Sequence, residues 1–306
     1  MGKPRLRSQT AHTRPPPAPS NPLNPAFTHT QEGPLLILLF HSKPSQWDAL
    51  ARIETFYEGN VDGALGAYLG WEKVGGLGCC GNYMAFNFTV RAVRDWLGVM
   101  WEELVRRGVG TDEIVAGVEV KAETAGEGTM EVKEKAKDHG EGLGEGKSDE
   151  EGKKAWWDDE CSIQERHLLR LLKQLGCLDS LPFGPPSSLP TPSPQGQQPT
   201  YLISALHTQS SDLTHERLHA LFHLSPTYAN FCKTLYNTSL SSKVRAAIEW
   251  DLKARGYRSE MYVDEFQAYV SESAAEFGGK ARGECLALQG DLRDAQRKAR
   301  EELGLG

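Results

Sequence analysis

Two kinds of hydrophobic pattern follow one another along this chain. Leu35 to Phe40 is a short, continuous apolar run of six residues, and Tyr201 to Leu206 is a mostly apolar segment of the same length, with Ser204 as its polar position. Such runs are typical of strands that are buried on both faces. A third, weaker strand is predicted over Ile114 to Val120. The strands are few and far apart, so a small sheet is expected among helices.

Longer stretches carry apolar residues three and four positions apart, which predicts amphipathic helices. Their ends show the expected signals, such as Thr89 as an N-cap, Ser162 with Glu165 as a capping box, and Ser225 before Pro226 as a stop. Helices are predicted from 45 to 59, 89 to 108, 162 to 176, 211 to 225, 227 to 235, 241 to 256, 261 to 275 and 283 to 303.

Three segments lack either pattern. Residues 1–32 are rich in Pro and Ser and predict a disordered leader. Residues 121–154 form an acidic, low-complexity insertion without aromatic residues, and 182–199 form a Pro-rich loop. The resulting expectation is one α+β domain over 33–275, interrupted by these two segments and followed by a charged helix over 276–306. Its C-terminal half is predicted to be mostly helical.

Composition narrows the class of protein. The chain has 306 residues, a net charge of -7 and a pI of about 5.8, which argues against a general nucleic-acid binder. No apolar run approaches the roughly 20 residues of a membrane span, and no signal peptide is recognised. The six cysteines contain no C-x-x-C pair, which favours a reducing compartment. A cytoplasmic location is predicted, with the nucleus as an alternative.

The strongest chemical signal is His215-Glu216-x-x-His219, inside a predicted helix that follows a predicted strand. Residues four apart stack on one helix face, so the two imidazoles can bind one zinc ion. Glu216 is then placed to act as general base toward a zinc-bound water. His223 would lie about 12 Å along the helix axis from His215, too far to share the ion. It is therefore interpreted as a partly buried helix residue or a group behind the ligands.

A catalytic zinc needs a third protein ligand, and the segment 264–269, Asp-Glu-Phe-Gln-Ala-Tyr, is the best candidate to supply it. With this segment, residues 200–275 resemble the gluzincin type of zinc metallopeptidase, in which a downstream Glu completes the site. The resemblance implies a zincin-like fold with a small sheet before the active-site helix. It also implies that His215, His219 and Glu265 bind Zn²⁺.

The chain departs from the thermolysin pattern of that family in three ways. The gap between the second histidine and the third ligand is longer, Asp264 replaces an Asn, and Tyr269 replaces an Asp. Asp264 or Glu272 is expected to orient a ligand imidazole through its free N–H. The donors considered for the developing oxyanion are Tyr257, Tyr262 and His207. In zincins an edge strand pairs with extended substrate, and the strand 201–206 is predicted to have that position.

The leading hypothesis is a zinc-dependent hydrolase of the metallopeptidase type, acting on a peptide or protein substrate. Two alternatives stay open at this point. The chain could be a zincin-like protein that does not hydrolyse peptides or uses its metal for other chemistry. It could also be a helical interaction protein with an accidental motif, in which the acidic insertion and the Pro-rich loop bind partners.

Overall fold

The chain folds into an α+β structure with a four-stranded mixed sheet and helices on both faces. A computed structural model describes residues 26–59, 63–81, 83–109, 155–179, 198–208 and 210–305. The strands are β1 (Phe27–Glu32), β2 (Leu35–Phe40), β3 (Phe86–Thr89) and β4 (Tyr201–Leu206). The helices are α1 (Lys43–Glu58), α2 (Trp71–Leu77), α3 (Val90–Arg106), α4 (Ile163–Gln174), α5 (Ser210–Leu224), α6 (Pro226–Thr238), α7 (Ser242–Ala254), α8 (Tyr262–Glu272) and α9 (Arg282–Leu303).

The sheet order is β1-β2-β4-β3, so the two apolar runs of the sequence form its centre. β2 and β4 pair in parallel, while β1 and β3 pair antiparallel to their neighbours. The prediction that β4 is an edge strand is therefore wrong. All but the last of its residues are buried, and it needs a hydrogen-bonded neighbour on each side. The neighbour on the site side is β3, a four-residue strand with no clear sequence signal.

The predicted leader extends too far into the folded chain. β1 begins at Phe27 and pairs with β2 over its whole length. Its side chains after Phe27 are mostly exposed and polar, which suits an edge strand but carries no apolar pattern. Residues 1–25, the predicted strand 114–120, the acidic insertion and the Pro-rich loop up to residue 197 lie outside the described residues.

Alternate side chains of the central strands enter two apolar clusters, one on each face of the sheet. The first cluster contains Leu36, Leu38 and Leu202 together with apolar residues of α1 to α4. The second cluster contains Ile37 and Ile203 together with apolar residues of α5 to α9. This arrangement explains the continuous apolar runs, because both faces of β2 and β4 are covered by helices.

Helix α9 belongs to the second cluster, through Cys285, Leu288 and Leu292. It contacts α5, α6 and α8, so no break in packing matches the predicted boundary at residue 275. None of the helices in the described part of the chain combines the length and the apolarity needed to cross a membrane.

The local signals at helix ends are largely confirmed. Ser162 and Glu165 form the reciprocal capping box, and the Thr89 side chain accepts a hydrogen bond from the backbone of Ala92. Gly59 ends α1 in the left-handed conformation, with φ of 63°. Helix α2 lies in the Gly-rich segment 63–81 and is absent from the helices that the sequence predicts.

A buried ion pair joins α1 to α4 within the first cluster. The Arg52 guanidinium donates to both carboxylate oxygens of Glu165, at 2.8 and 2.7 Å, and both side chains are fully buried. Arg52 also donates to the backbone oxygen of Glu160 and lies 5.0 Å from the Trp96 ring centroid. These contacts satisfy the guanidinium away from water, so α1 is held at a defined position over the sheet.

We expect Arg52→Ala to lower the free energy of unfolding by about 3–5 kcal/mol, because the buried Glu165 carboxylate loses its partner. The measurement is urea unfolding followed by circular dichroism. Arg106→Ala is the matched control, since Arg106 pairs with Glu103 at the surface and its loss should change stability little. Equal effects of the two substitutions would contradict a structural role for the Arg52 pair.

Candidate metal centre

Helix α5 carries the His-Glu-x-x-His motif and packs against β4, β3 and α8. His215 and His219 lie one turn apart, with ring centroids 4.8 Å from each other. His219 is buried and His215 is 16% exposed at its side chain. The helix therefore presents both imidazoles to the same space, as residues four apart on one face must.

Helix α8 brings Glu265 to the two histidines. One Glu265 oxygen, Oε1, lies 3.8 Å from His219 Nε2. One ligand atom from each of His215, His219 and Glu265 can be chosen so that all three lie within 4.8 Å of one another. Two imidazoles and one carboxylate converge, and such a group could hold a metal ion.

The donor set fits a catalytic zinc, for which two His and one Glu with an open fourth position are a known ligand combination. The buried Glu265 also keeps one oxygen, Oε2, without a hydrogen-bond partner in the described structure, as expected of an atom reserved for a metal. Ligands of tetrahedral zinc lie roughly 3.4 Å apart, so the three groups would draw together slightly on binding.

A carboxylate holds the other nitrogen of each imidazole. Asp264 Oδ1 lies 2.9 Å from His219 Nδ1, and Glu272 Oε2 lies 3.1 Å from His215 Nδ1. The sequence offered Asp264 or Glu272 for this task, and the structure places one behind each histidine. These contacts leave Nε2 of both rings for the metal and fix the ring orientations.

His223 lies behind the centre rather than in it. Its Nε2 is 3.4 Å from Asp264 Oδ2, and its ring stacks on Tyr201 at 5.2 Å. It is also outside the group of three convergent ligands. This placement agrees with the helical spacing, which puts His223 too far from His215 to share an ion with it.

Electrostatics around His219 are dominated by carboxylates. Burial lowers the pKa of His219, but Asp264, Glu265 and Glu216 together raise it to about 10. Burial raises the pKa of Asp264, yet the opposing effect of His219 and His223 holds it well below its usual range. In the absence of a metal ion, His219 therefore carries a proton at pH 7 and forms an ion pair with Asp264.

Glu216 is 7% exposed and borders the same cleft. Asn87, on β3, donates to Glu216 Oε2 at 2.6 Å, and its own amide oxygen accepts from the Tyr201 hydroxyl at 2.6 Å. Burial raises the pKa of Glu216 to about 7, against the opposing effects of His219 and Asn87. The sequence missed Asn87, because no strand was predicted around it.

The centre opens into a cleft of about 560 Å³ between α1, β3, α5 and α8. Two carboxylates of its wall, Glu54 and Glu58 on α1, were also missed. The sequence did contain an indication of their position. Glu54 and Glu58 follow Leu50 at steps of four residues, so they lie on the same face of α1 as this apolar residue. This spacing did not identify them as site residues, because nothing in the sequence shows that α1 lies close to the His-Glu-x-x-His motif.

The three oxyanion candidates have different positions. Tyr257 lines the cleft, and its hydroxyl lies 3.0 Å from that of Tyr269. Tyr262 packs against the second cluster and is not part of the cleft wall. His207 is also outside the cleft, with its Nε2 3.1 Å from the Thr28 hydroxyl on β1. Of the three candidates, only Tyr257 is brought to the cleft.

The comparisons with known proteins identify no relative of this chain. No protein-family model matches the chain, and no curated protein or solved structure matches it significantly. The likeness to gluzincins therefore remains a resemblance in two short motifs, and the zincin-like part of the fold prediction has no structural neighbour to support it.

We expect the purified protein to bind about one equivalent of Zn²⁺. His219→Ala and Glu265→Ala should each weaken zinc binding by more than roughly 10- to 100-fold, which is the loss typical of removing a residue that only hydrogen-bonds to a ligand. Zinc is measured by elemental analysis and by competition with a chelator. His207→Ala is the matched control, because it removes a histidine outside the cleft. If Glu265→Ala bound zinc like the wild type, Glu265 would not be a ligand.

Zinc binding at pH 7 is expected to release on the order of one proton from His219, because the metal takes a neutral imidazole. The sign follows from the pKa of about 10: His219 is protonated below this value, and the release disappears as the pH rises through it. The number of protons released on zinc binding is measured by calorimetric titration in buffers of different ionisation enthalpy. Asp264→Asn should reduce the release at pH 7. An equal heat in all buffers would contradict the protonated state of His219.

Proposed function

We propose that this protein is a zinc-dependent hydrolase of the metallopeptidase type. The observation that carries the proposal is the convergence of His215, His219 and Glu265 at the cleft where Glu216 lies. An accidental motif gives no reason for a carboxylate from another helix to lie 3.8 Å from the second histidine through Oε1 while its other oxygen, Oε2, has no hydrogen-bond partner among the described residues. The carboxylates behind both imidazoles add to this support.

His215 and His219, through Nε2, and Glu265 would hold the zinc ion. When bound there, zinc would supply Lewis-acid chemistry, which would polarise a substrate carbonyl and lower the pKa of a water molecule. Asp264 and Glu272 keep the two imidazoles in the tautomer and orientation that this binding requires.

Glu216 is the general base in this proposal. In the metal-free protein, burial raises the pKa of Glu216 to about 7, toward the range that suits a base acting near neutral pH. The Asn87 amide donates to Oε2 and so fixes the direction of the carboxylate. Glu216 takes a proton from the attacking water and passes it to the leaving amine.

Tyr257 is the proposed donor to the developing oxyanion. Burial first, and the neighbouring Glu265 and Tyr269 in addition, raise the pKa of its hydroxyl, so it stays protonated and can donate. The arginine Arg255 lies over the Tyr269 ring, at 4.8 Å from its centroid, and helps to hold this pair of tyrosines at the cleft.

The substrate is proposed to be an extended peptide or protein segment that pairs with β3. β3 is the terminal strand of the described sheet on the site side, and Met84, Ala85 and Asn87 line the cleft. Main-chain hydrogen bonds to an edge strand hold a peptide without regard to its sequence. This strand takes the role that the sequence had assigned to β4.

Glu216→Gln should keep zinc but lower the hydrolysis rate by about 10²- to 10⁴-fold, since it removes the base and preserves the shape of the side chain. Zinc-loaded full-length protein is incubated with a random peptide pool, and new N-termini are quantified by mass spectrometry. Glu103→Gln, which changes a surface carboxylate on α3 outside the cleft, is the control. Undiminished cleavage by Glu216→Gln would remove Glu216 as the base. A zinc-loaded wild type that cleaves no peptide would favour the alternative of a non-peptidase metal protein.

A further inference from the structure

Two carboxylates of helix α1 face the cleft beside the metal centre. Glu54 and Glu58 lie four residues apart, hence on one side of the helix, and both belong to the cleft wall. The mechanism proposed above uses neither of them. Glu54 is 1% exposed, whereas Glu58 is half-buried and closer to solvent.

Glu54 and Glu58 share a hydrogen bond between their carboxyl groups, but the remaining hydrogen bonding of the pair is incomplete. Glu58 Oε2 accepts a hydrogen bond of 2.8 Å from the Tyr83 hydroxyl, which also lines the cleft. Glu54 Oε2 has no hydrogen-bond partner within the described residues. A buried carboxylate oxygen without a partner is costly, on the order of 1–3 kcal/mol or more. The cleft wall therefore holds an acceptor that the protein itself does not satisfy.

The cleft also has an excess of acidic groups. Six carboxylates and two arginines are among its lining residues. Arg255 is already paired with Asp251 at 2.7 Å and with Glu276 at 2.8 Å. Arg258 lies 3.5 Å from Glu260 and acts on Glu58 only through its charge. His219 also faces the cleft and is positively charged in the metal-free protein, but within the described residues neither it nor the two arginines forms an ion pair with Glu54 or Glu58. A cation therefore suits these two carboxylates.

A second metal ion fits the pair less well than an organic cation does. Among the residues that the structure describes, His215, His219 and Glu265 form the only group of three or more metal-ligating side chains. Glu54 and Glu58 thus lack a third protein ligand at coordination distance. A primary ammonium carries three donors and needs no fixed coordination geometry, so two carboxylates and a hydroxyl suffice to bind it.

We propose that Glu54 and Glu58 form a subsite for a protonated amine of the substrate. The inference rests on the proposed function, since it assigns a substrate class to the same cleft. The ammonium group could be the free N-terminus of a peptide or the side chain of a lysine residue, and both present the same chemistry. Burial raises the pKa of Glu54 well above its usual range, so the empty subsite retains a proton that an ammonium group would replace.

The test is a binding experiment that does not depend on turnover. Zinc-loaded full-length protein is titrated by calorimetry with two pairs of hydroxamates, whose zinc-binding group anchors them at the metal. L-leucine hydroxamate is compared with N-acetyl-L-leucine hydroxamate, which tests an α-amino group. N-acetyl-L-lysine hydroxamate is compared with N-acetyl-L-norleucine hydroxamate, which tests a lysine side chain.

In at least one pair, the probe with the amine should bind about 10- to 100-fold more tightly, the range of a charge-assisted hydrogen bond. The pair that shows this gain identifies the source of the ammonium group. Glu54→Gln and Glu58→Gln should each reduce the gain and leave the affinity of the amine-free probes unchanged. Glu103→Gln is the charge-matched control on another helix and should retain the gain.

Equal affinities within both pairs, or a gain that survives in both Gln variants, would overturn the subsite. So would a second equivalent of zinc that is lost in Glu58→Gln. The difference in affinity between the two hydroxamates of a pair for the wild-type protein tests the subsite even if the variants fold poorly. Failure of the metal centre has a different signature, since no hydroxamate would then bind, and the subsite would fall together with the proposed function. Tight but amine-independent binding would reject the subsite alone.

Discussion

The parallel pair of β2 and β4 is the constraint on which the rest of the structure depends. Both strands are apolar on both faces, so each face must be covered by helices. The two clusters that result hold α1 on one side of the sheet and α5 with α8 on the other. β3 is the strand at which these layers meet, because both α1 and α5 contact it. The cleft lies at this junction.

The candidate metal centre is a consequence of how α5 and α8 pack within the second cluster. Phe266 and Ala268 are fully buried, so the residues beside them on α8 have fixed directions. Glu265 faces the histidines, Asp264 supports His219, and Glu272, two turns further along the helix, supports His215. A rotation of α8 would lose these contacts together.

Buried charge gives the site its chemical character. Burial raises the pKa of Glu216 and of Glu265 to about 7, and it opposes the protonation of His219. These groups tolerate burial because histidine and carboxylate partners surround them, and a metal ion would complete the balance. Glu54 and Glu58 extend the same acidic environment beyond the metal ligands. The proposed metal site and the proposed ammonium subsite would therefore draw on one electrostatic feature.

The sequence by itself determined the features that depend on neighbouring residues. Helical spacing placed His215 and His219 on one face, continuous apolar runs marked β2 and β4, and Ser162 with Glu165 marked a helix start. Asp264 and Glu265 were named as well, because they stand within the segment 264–269 that resembles a known second motif, and Glu272 was named as a neighbouring carboxylate. Only the tertiary structure decided that β4 is central, that β3 exists, and that Asn87, Glu54 and Glu58 reach the cleft. These outcomes depend on pairing and packing between segments that are far apart in the sequence. Asn87 and Glu216, for example, are more than 100 residues apart. Local periodicity carries no information about such contacts.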